Sequence, residues 1–244
     1  SAKTVLNYHT ALSALWTWAV EEGIGPQHIV RSVRPPKPEK RVILPYTRRD
    51  IEAMLAACDR SRTYTRPGKR ACSHQRPTAQ RDKAIIKLLL DTGIRASELC
   101  NLCLRDVDLK NARIKVMGKG SKERVLELDP RTVQALWRYL ASREDTQRPE
   151  AHLFVTSSTL PIDRHNLRRT LQRIGQRAGV SNVTVHRFRH TFAIEYMRNG
   201  ANLDALRIAL GHSTFDMVDR YLHIVQADLK NVHRSASPVA NWAL

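Results

Sequence analysis

The chain has 244 residues, 42% of them hydrophobic, which is enough apolar side chain to bury a real core in one large or two modest domains and excludes a disordered chain. Forty-one Lys and Arg against 23 Asp and Glu leave a formal charge of +18, spread along the whole length rather than gathered in a tail. Such an excess carries a self-repulsion that a polyanion relieves, so it points to a nucleic-acid partner rather than to a merely soluble basic protein.

No apolar run approaches the ~20 residues of a membrane span and no leader precedes the first helix-like segment, so the sequence points away from the membrane and to the cytoplasm. The first element is TVLNYHTALSALWTWAVEEGI, where Leu6, Leu12, Leu15, Trp16 and Ala19 fall near a 3.6-residue period that ends at Gly23, as in an amphipathic helix. The next stretch, VRPPKPEKRVILP, is too rich in proline and basic residues for regular structure and reads as an extended linker. A domain boundary is expected there: a partial helical domain over 1–31, a linker over 32–46 and a second domain from 47 to the end. Thr47 with Asp50 has the spacing of a helix N-cap, and the helix should run to about Cys58. Residues 59–80 lack periodicity and are dense in Arg, Lys and Pro, which predicts a loop, mobile or facing DNA.

A helix carrying Ile85, Ile86, Leu88, Leu89 and Leu90 stops at Asp91-Thr92-Gly93, and Arg95 opens the next. SELCNLCLRDVDL reads as a helix with Leu99 and Leu102 inward. Its Cys100 and Cys103 form a C-x-x-C without a second ligand pair at zinc spacing, so buried thiols fit better than a metal site. Cys72 and His74 with Cys58 are a minor metal-site alternative. Asp106 and Asp108, two apart, suit a helix-to-strand turn better than a two-metal nuclease. ARIKVMGKGSKERVLEL alternates, with Ile114 and Val116 inward, then breaks at Gly118-Lys119-Gly120 and resumes, predicting a hairpin with Lys119 at its tip. GKGSK lacks the spacing of a phosphate-binding loop.

From Pro130 onward the pattern is helical apart from LFVTSSTLPID. Thr184 should cap a helix running from Val185 to Asn199 and closed by Gly200, with His186, Arg189 and His190 on one face and Phe188, Phe192 and Tyr196 on another. A short helix ends at Gly211. Ser213 and Asp216 make a capping box for a last helix, whose apolar face is Phe215, Val218, Leu222 and Val225, with Tyr221 at its edge and His212 in the turn before it. Each of these histidines, and Tyr221, taken alone is more simply a structural residue. Their joint presence with Arg95 and Arg189 outweighs that reading.

In order along the chain, TGIRASEL, VMGKGSKERV, HRFRHTFA, LGHS and VDRYLH resemble the motifs of the tyrosine recombinases, or phage-type integrases, of the group that resolves bacterial chromosome dimers. The resemblance implies a mainly α fold with a small antiparallel β-sheet, in which a recombinase-like catalytic domain follows part of a helical, SAM-like, DNA-binding domain. It implies Arg95, Lys119, His186, Arg189, His212 and Tyr221 as catalytic residues. Tyr221 would be the nucleophile, Arg95 and Arg189 a bidentate phosphate clamp, Lys119 the acid for the leaving 5′-hydroxyl, and His186 and His212 hydrogen-bonding or proton-relay groups. Glu98, one turn past Arg95, is a candidate to orient Arg95 or His190, or an ordinary surface glutamate.

The partners so implied are double-stranded DNA and further copies of the chain, a tetramer exchanging strands through a Holliday junction, with accessory DNA-bending proteins as a further possibility. No metal, ATP or other cofactor is called for, because the phosphodiester energy is kept in a 3′-phosphotyrosine bond. The setting implied is the nucleoid. Two features depart from the family pattern. The helical domain begins inside what look like its final helices, as in a fragment or a short enzyme, and residues 59–80 are longer than the family's stretch. The end of the chain, about 226–244, has the Leu, Val and Trp242 of a segment docking on a neighbour, against a disordered tail. A non-catalytic DNA-binding module would leave Arg95, Lys119, Arg189, His212 and Tyr221 without purpose, whereas a type IB topoisomerase would share their chemistry but relax supercoils without a target site.

Overall fold

The computed structural model describes residues 1–25, 27–37, 43–61, 70, 72–118 and 123–211. Lys119, His212 and Tyr221, the Ser213–Asp216 capping box, the last predicted helix and the docking segment lie outside the described residues. The chain divides into two compact units, Ser1–Ile43 and Leu44–Leu244.

The first unit is helix α1 (Ala2–Glu21), opened by the Ser1 hydroxyl accepting from the Thr4 N–H, followed by a 3₁₀ turn at Ile29–Ser32. His28 fastens the two: its Nε2 lies 2.9 Å from the Ser13 carbonyl, and the Trp16 indole donates to the Gln27 carbonyl at 3.0 Å. No residue of α1 is buried, and Leu12 and Leu15 of the expected apolar stripe are half exposed, because one helix and one turn provide no second layer to cover that face.

The second unit is mainly helical with one small sheet. Thr47 and Asp50 form a reciprocal capping box at the start of α2 (Arg48–Ala57). The stretch after α2 begins and ends in a neck: Arg60 and Gln75 form an antiparallel bridge, the Ser61 N–H donates to the His74 carbonyl, and the Arg76 N–H donates to the Asp59 carbonyl. The expected featureless loop is therefore closed at its base by backbone hydrogen bonds between residues that the missing periodicity could not pair.

Helix α3 (Ala79–Thr92) is the centre of the unit, with Ala84, Ile85, Ile86, Leu88 and Leu89 all fully buried. It packs on α5 (Pro130–Leu140) on one side and on α7 (Val185–Arg198) on another, while α6 (Arg164–Ala178) covers α2. Asp82, fully buried in the first turn of α3, is held by Arg76 at 2.9 Å and Arg81 at 2.7 Å, so its charge is not left unpaired.

Arg95 caps α4 (Ala96–Asn101), which is shorter than the predicted helix. At Leu102 the backbone leaves helical geometry, a 3₁₀ turn covers Leu104–Asp106, and Val107–Asp108 becomes β1. Leu99 and Leu102 do point inward and Cys100 is buried, but Cys103 is half-buried, since it stands past the end of the helix. Asp106 accepts from the Cys103 N–H and Asp108 from Asn111, the turn role expected of them. The sheet runs in the order β1–β2–β3, with β2 (Arg113–Met117) and β3 (Glu123–Glu127) antiparallel and paired Ile114 to Leu126 and Val116 to Arg124. The third strand was not foreseen: two residues are too few to show alternation.

Thr184 caps α7 as expected, accepting from the Arg187 N–H, and Leu44–Tyr46 straps onto its first turns. There the Thr191 hydroxyl accepts from the Tyr46 N–H at 2.8 Å and Arg187 stacks 4.1 Å over the Tyr46 ring. The three aromatics of α7 do not share one cluster. Phe188 enters the main core, whereas Phe192 joins a smaller one with Leu206 and Leu210 of α8 (Leu203–Leu210), against which Tyr196 packs. Phe188 and Phe192 are one turn apart, but α7 crosses from the main core to α8 between them.

The crossing needs a glycine at the end of α3. Gly93 has φ 59°, and a Cβ there would lie 2.5 Å from Phe192 and 3.0 Å from Leu210. Gly93→Ala should therefore lower stability by about 2 kcal/mol or more, combining a left-handed backbone with overpacking. A denaturant midpoint equal to that of the wild type would show that the α3–α7 junction has room to spare.

Candidate active site

The site is built around the C-terminus of α8. A helix leaves its last carbonyls without intrahelical donors and with partial negative charge. Here Gly211 turns left-handed at φ 61° as the cap, and three arginines from three other elements reach the terminal carbonyls. Arg124, on β3, donates Nε–H to the Ala209 carbonyl at 3.1 Å. Arg189, on α7, donates to the Leu210 carbonyl at 2.7 Å, and Arg95, ahead of α4, donates to the Gly211 carbonyl at 3.1 Å. The other arm of Arg189 bonds the Gly93 carbonyl at 2.8 Å, two residues before Arg95.

Three like charges in so small a space need a counter-charge, and Glu98 supplies it. Its side chain is 4% exposed, and its carboxylate accepts from Arg95 Nη1 at 2.7 Å, from the Arg95 backbone N–H at 2.9 Å, and from both Nη atoms of Arg124 at 2.9 and 2.8 Å. Burial by itself would raise its pKa, but the hydrogen bonds from Arg124 and Arg95 outweigh that and hold the group at about 2. Glu98 is thus the orienting partner of Arg95 and not a surface glutamate.

The structure brings Arg95 and Arg189 together at adjacent carbonyls although nearly a hundred residues of chain separate them. Their settings differ: Arg189 is buried, while the Arg95 side chain is 35% exposed and so open to a ligand. His186 is exposed on the first turn of α7, one turn before Arg189, and His190 is buried beside Arg189. The partly exposed Arg95 guanidinium has the planar fork of donors that suits the oxygens of a phosphate, with Arg189 at the neighbouring carbonyl behind it. Lys119, His212 and Tyr221 lie outside the described residues; Lys119 falls between β2 and β3, and His212 directly follows the arginine-capped Gly211 in the sequence.

Sequence reasoning missed Arg124. The signal was present, because strict alternation along β3 puts Arg124 in the inward file with Leu126, while Val125 points to solvent at 58% exposure. Among the described residues no group of three His, Cys, Asp or Glu is placed to hold a metal ion, so Cys58, Cys72 and His74 do not form one, and no helix is long and apolar enough to cross a membrane.

The phage integrase family profile matches residues 47–227, three quarters of the chain. The chain belongs to the phage integrase family. It is 31% identical to the tyrosine recombinase XerC of Thermodesulfovibrio yellowstonii, over 98% of this chain and 77% of that protein. It is 37% identical to the tyrosine recombinase XerC of Staphylococcus epidermidis, over 68% of this chain and 57% of that one, so it spans only part of the relatives it matches. Among solved structures it resembles the XerA recombinase, with a TM-score of 0.65, 28% identity and coverage of 86% of this chain and 71% of that one. It also shares the fold of the Tn1549 transposon integrase, solved in complex with circular intermediate DNA, with a TM-score of 0.70, 22% identity and coverage of 91% and 75%.

The Glu98 cluster has a pH signature. A carboxylate whose folded pKa is depressed stabilises the fold fully above its ordinary value of 4.5, and that contribution fades as the pH falls toward about 2. At neutral pH it is worth on the order of 3 kcal/mol. Glu98→Gln should be less stable at pH 7 and should lose less further stability than the wild type between pH 4.5 and 2, measured by urea unfolding across that range. Parallel acid profiles for the two proteins would place the titration elsewhere.

Proposed function

We propose that the protein is a site-specific DNA recombinase that works through a covalent phosphotyrosine intermediate. The observation carrying this reading is the convergence of Arg95 and Arg189 at the end of α8, immediately before His212, in a chain of the phage integrase family with a charge of +18. The Tyr221 hydroxyl loses its proton and its oxygen attacks the scissile phosphorus, forming the 3′-phosphotyrosyl bond as the bond to the 5′-oxygen breaks. Lys119 gives that oxygen its proton, leaving a free 5′-hydroxyl. Arg95 and Arg189 stabilise the charge on the non-bridging oxygens, with His186 and His212 hydrogen-bonding them or relaying protons. Attack by a 5′-hydroxyl from a partner duplex reverses the step and reseals the strand without metal or ATP.

The substrate is double-stranded DNA, and the active unit is a tetramer that passes through a Holliday junction, with residues 226–244 docking on a neighbouring protomer. The helical segment over 1–31 helps to hold the DNA. The cytoplasmic nucleoid is the place of action. Relatives named as recombinases, and neighbours solved on DNA such as the XerH recombinase bound to palindromic difH substrate, support the DNA-binding part of this reading.

Incubated with a nicked suicide duplex carrying its target site, the protein should form a denaturant-resistant adduct. Tyr221→Phe should bind the duplex and form none. EDTA should leave the yield unchanged, and inhibition by EDTA would revive a metal-dependent nuclease. Relaxation of supercoils without recombinant products would favour a type IB topoisomerase.

The proton donor can be tested with sulfur at the bridging 5′ position, because a thiolate leaves without protonation whereas an alkoxide does not. Lys119→Ala should cleave normal DNA slowly and recover much of its rate on the sulfur substrate, while Arg189→Ala should recover little. Rescue of Lys122→Ala instead would move the acid to that lysine.

A further inference from the structure

Arg124 is the third arginine at the end of α8, and its setting differs from that of Arg95. Its side chain is 11% exposed against 35% for Arg95, and all three of its nitrogens are engaged: Nε with Ala209, and both Nη atoms in a fork on Glu98. On β3 it stands opposite the buried Val116, so its stem is held by the sheet register. The fit at its head is close, since a Cβ on Gly211 would lie 2.9 Å from Nη1. Unlike Arg95 it has little open surface, and unlike Arg189, whose Nη atoms rest on neutral backbone carbonyls, its whole fork is committed to a carboxylate.

It is well placed to control Arg95. Each Glu98 oxygen is shared: Oε1 accepts from Arg95 Nη1 and Arg124 Nη1, and Oε2 accepts from the Arg95 backbone N–H and Arg124 Nη2. Without Arg124 the carboxylate would be free to turn and chelate Arg95 with both oxygens, withdrawing donors that a phosphate needs. Ala209 would also lose its tie to the sheet.

We propose that Arg124 is a positioning residue for the phosphate clamp: through Glu98 it sets the Arg95 guanidinium, and through Ala209 it fixes strand β3 to the end of α8, without itself touching DNA. This role rests on the recombinase reading above. A lysine cannot replace it, because a single ammonium cannot hold both Glu98 oxygens in a fork and the Ala209 carbonyl together.

The test uses the full chain, single-turnover cleavage of a suicide duplex, and the same duplex with a neutral methylphosphonate at the scissile position. Arg124→Gln and Arg124→Lys should keep the wild-type affinity for the duplex and slow its cleavage by roughly 10- to 100-fold, the cost of a clamp group misplaced by about 1 Å. On the methylphosphonate duplex the deficit relative to wild type should shrink, because a linkage without the non-bridging charge depends less on Arg95. Arg124→Lys keeps the charge and guards against loss of folding in Arg124→Gln. Cleavage at the wild-type rate, a deficit equal on both duplexes, or a loss of affinity matching the loss of rate would each overturn the proposal. No adduct from the wild type would instead overturn the recombinase reading and this role with it, an outcome distinct from a failure confined to the Arg124 variants.

Discussion

The terminal carbonyls of α8 hold the larger unit's distant parts in register. Ala209, Leu210 and Gly211 accept from arginines on a strand, on α7 and at the head of α4, so that three elements far apart in sequence end at one helix terminus. A helix C-terminus attracts cations, but it could not assemble three guanidiniums unaided, because their mutual repulsion exceeds what partial charges supply. Glu98 resolves this. It bridges Arg95 and Arg124 from a buried position, where their attraction for its charge outweighs the cost of burying it, and the carboxylate stays ionised far below its usual range.

Around that terminus the apolar packing divides in two. The main core gathers α2, α3, α5, α6 and the sheet, while a small cluster seats α8 on α7 through Phe192, Leu206 and Leu210. Arg189 lies on the seam, one arm on the end of α3 and the other on the end of α8. The site is thus where two hydrophobic clusters meet at helix ends whose carbonyls lack intrahelical donors, a place that wants polar partners. The same logic recurs at the start of α3, where Asp82 is buried only because Arg76 and Arg81 accompany it.

Much of this was legible in the sequence. Thr47 and Thr184 as helix caps, Gly93 and Gly211 as helix ends, and the alternation in β2 and β3 depend on neighbours within four residues or on a period of two, and they stand where the pattern put them. The features that did not follow have physical reasons. The helix through Cys100 stops at Asn101 because Val107–Asp108 is drawn into pairing with β2, and the stretch after α2 has a neck because Asp59 and Arg76 meet across it. A two-residue strand is too short to show alternation, and Asp59 and Arg76 are too far apart in sequence to leave a periodic trace.

For the site the division is sharper. Local backbone geometry and composition are enough to make Arg95 open a helix, to put Arg189 and His186 on one helical face and Arg124 in an inward file, and to make the protein strongly basic. That Arg95, Arg124 and Arg189 meet at the last carbonyls of α8, with Glu98 bridging Arg95 and Arg124, comes from the packing alone. A residue's period fixes its direction about its own helix or strand, whereas the group it meets there is set by how α3, α7, α8 and the sheet pack, which depends on the whole core at once.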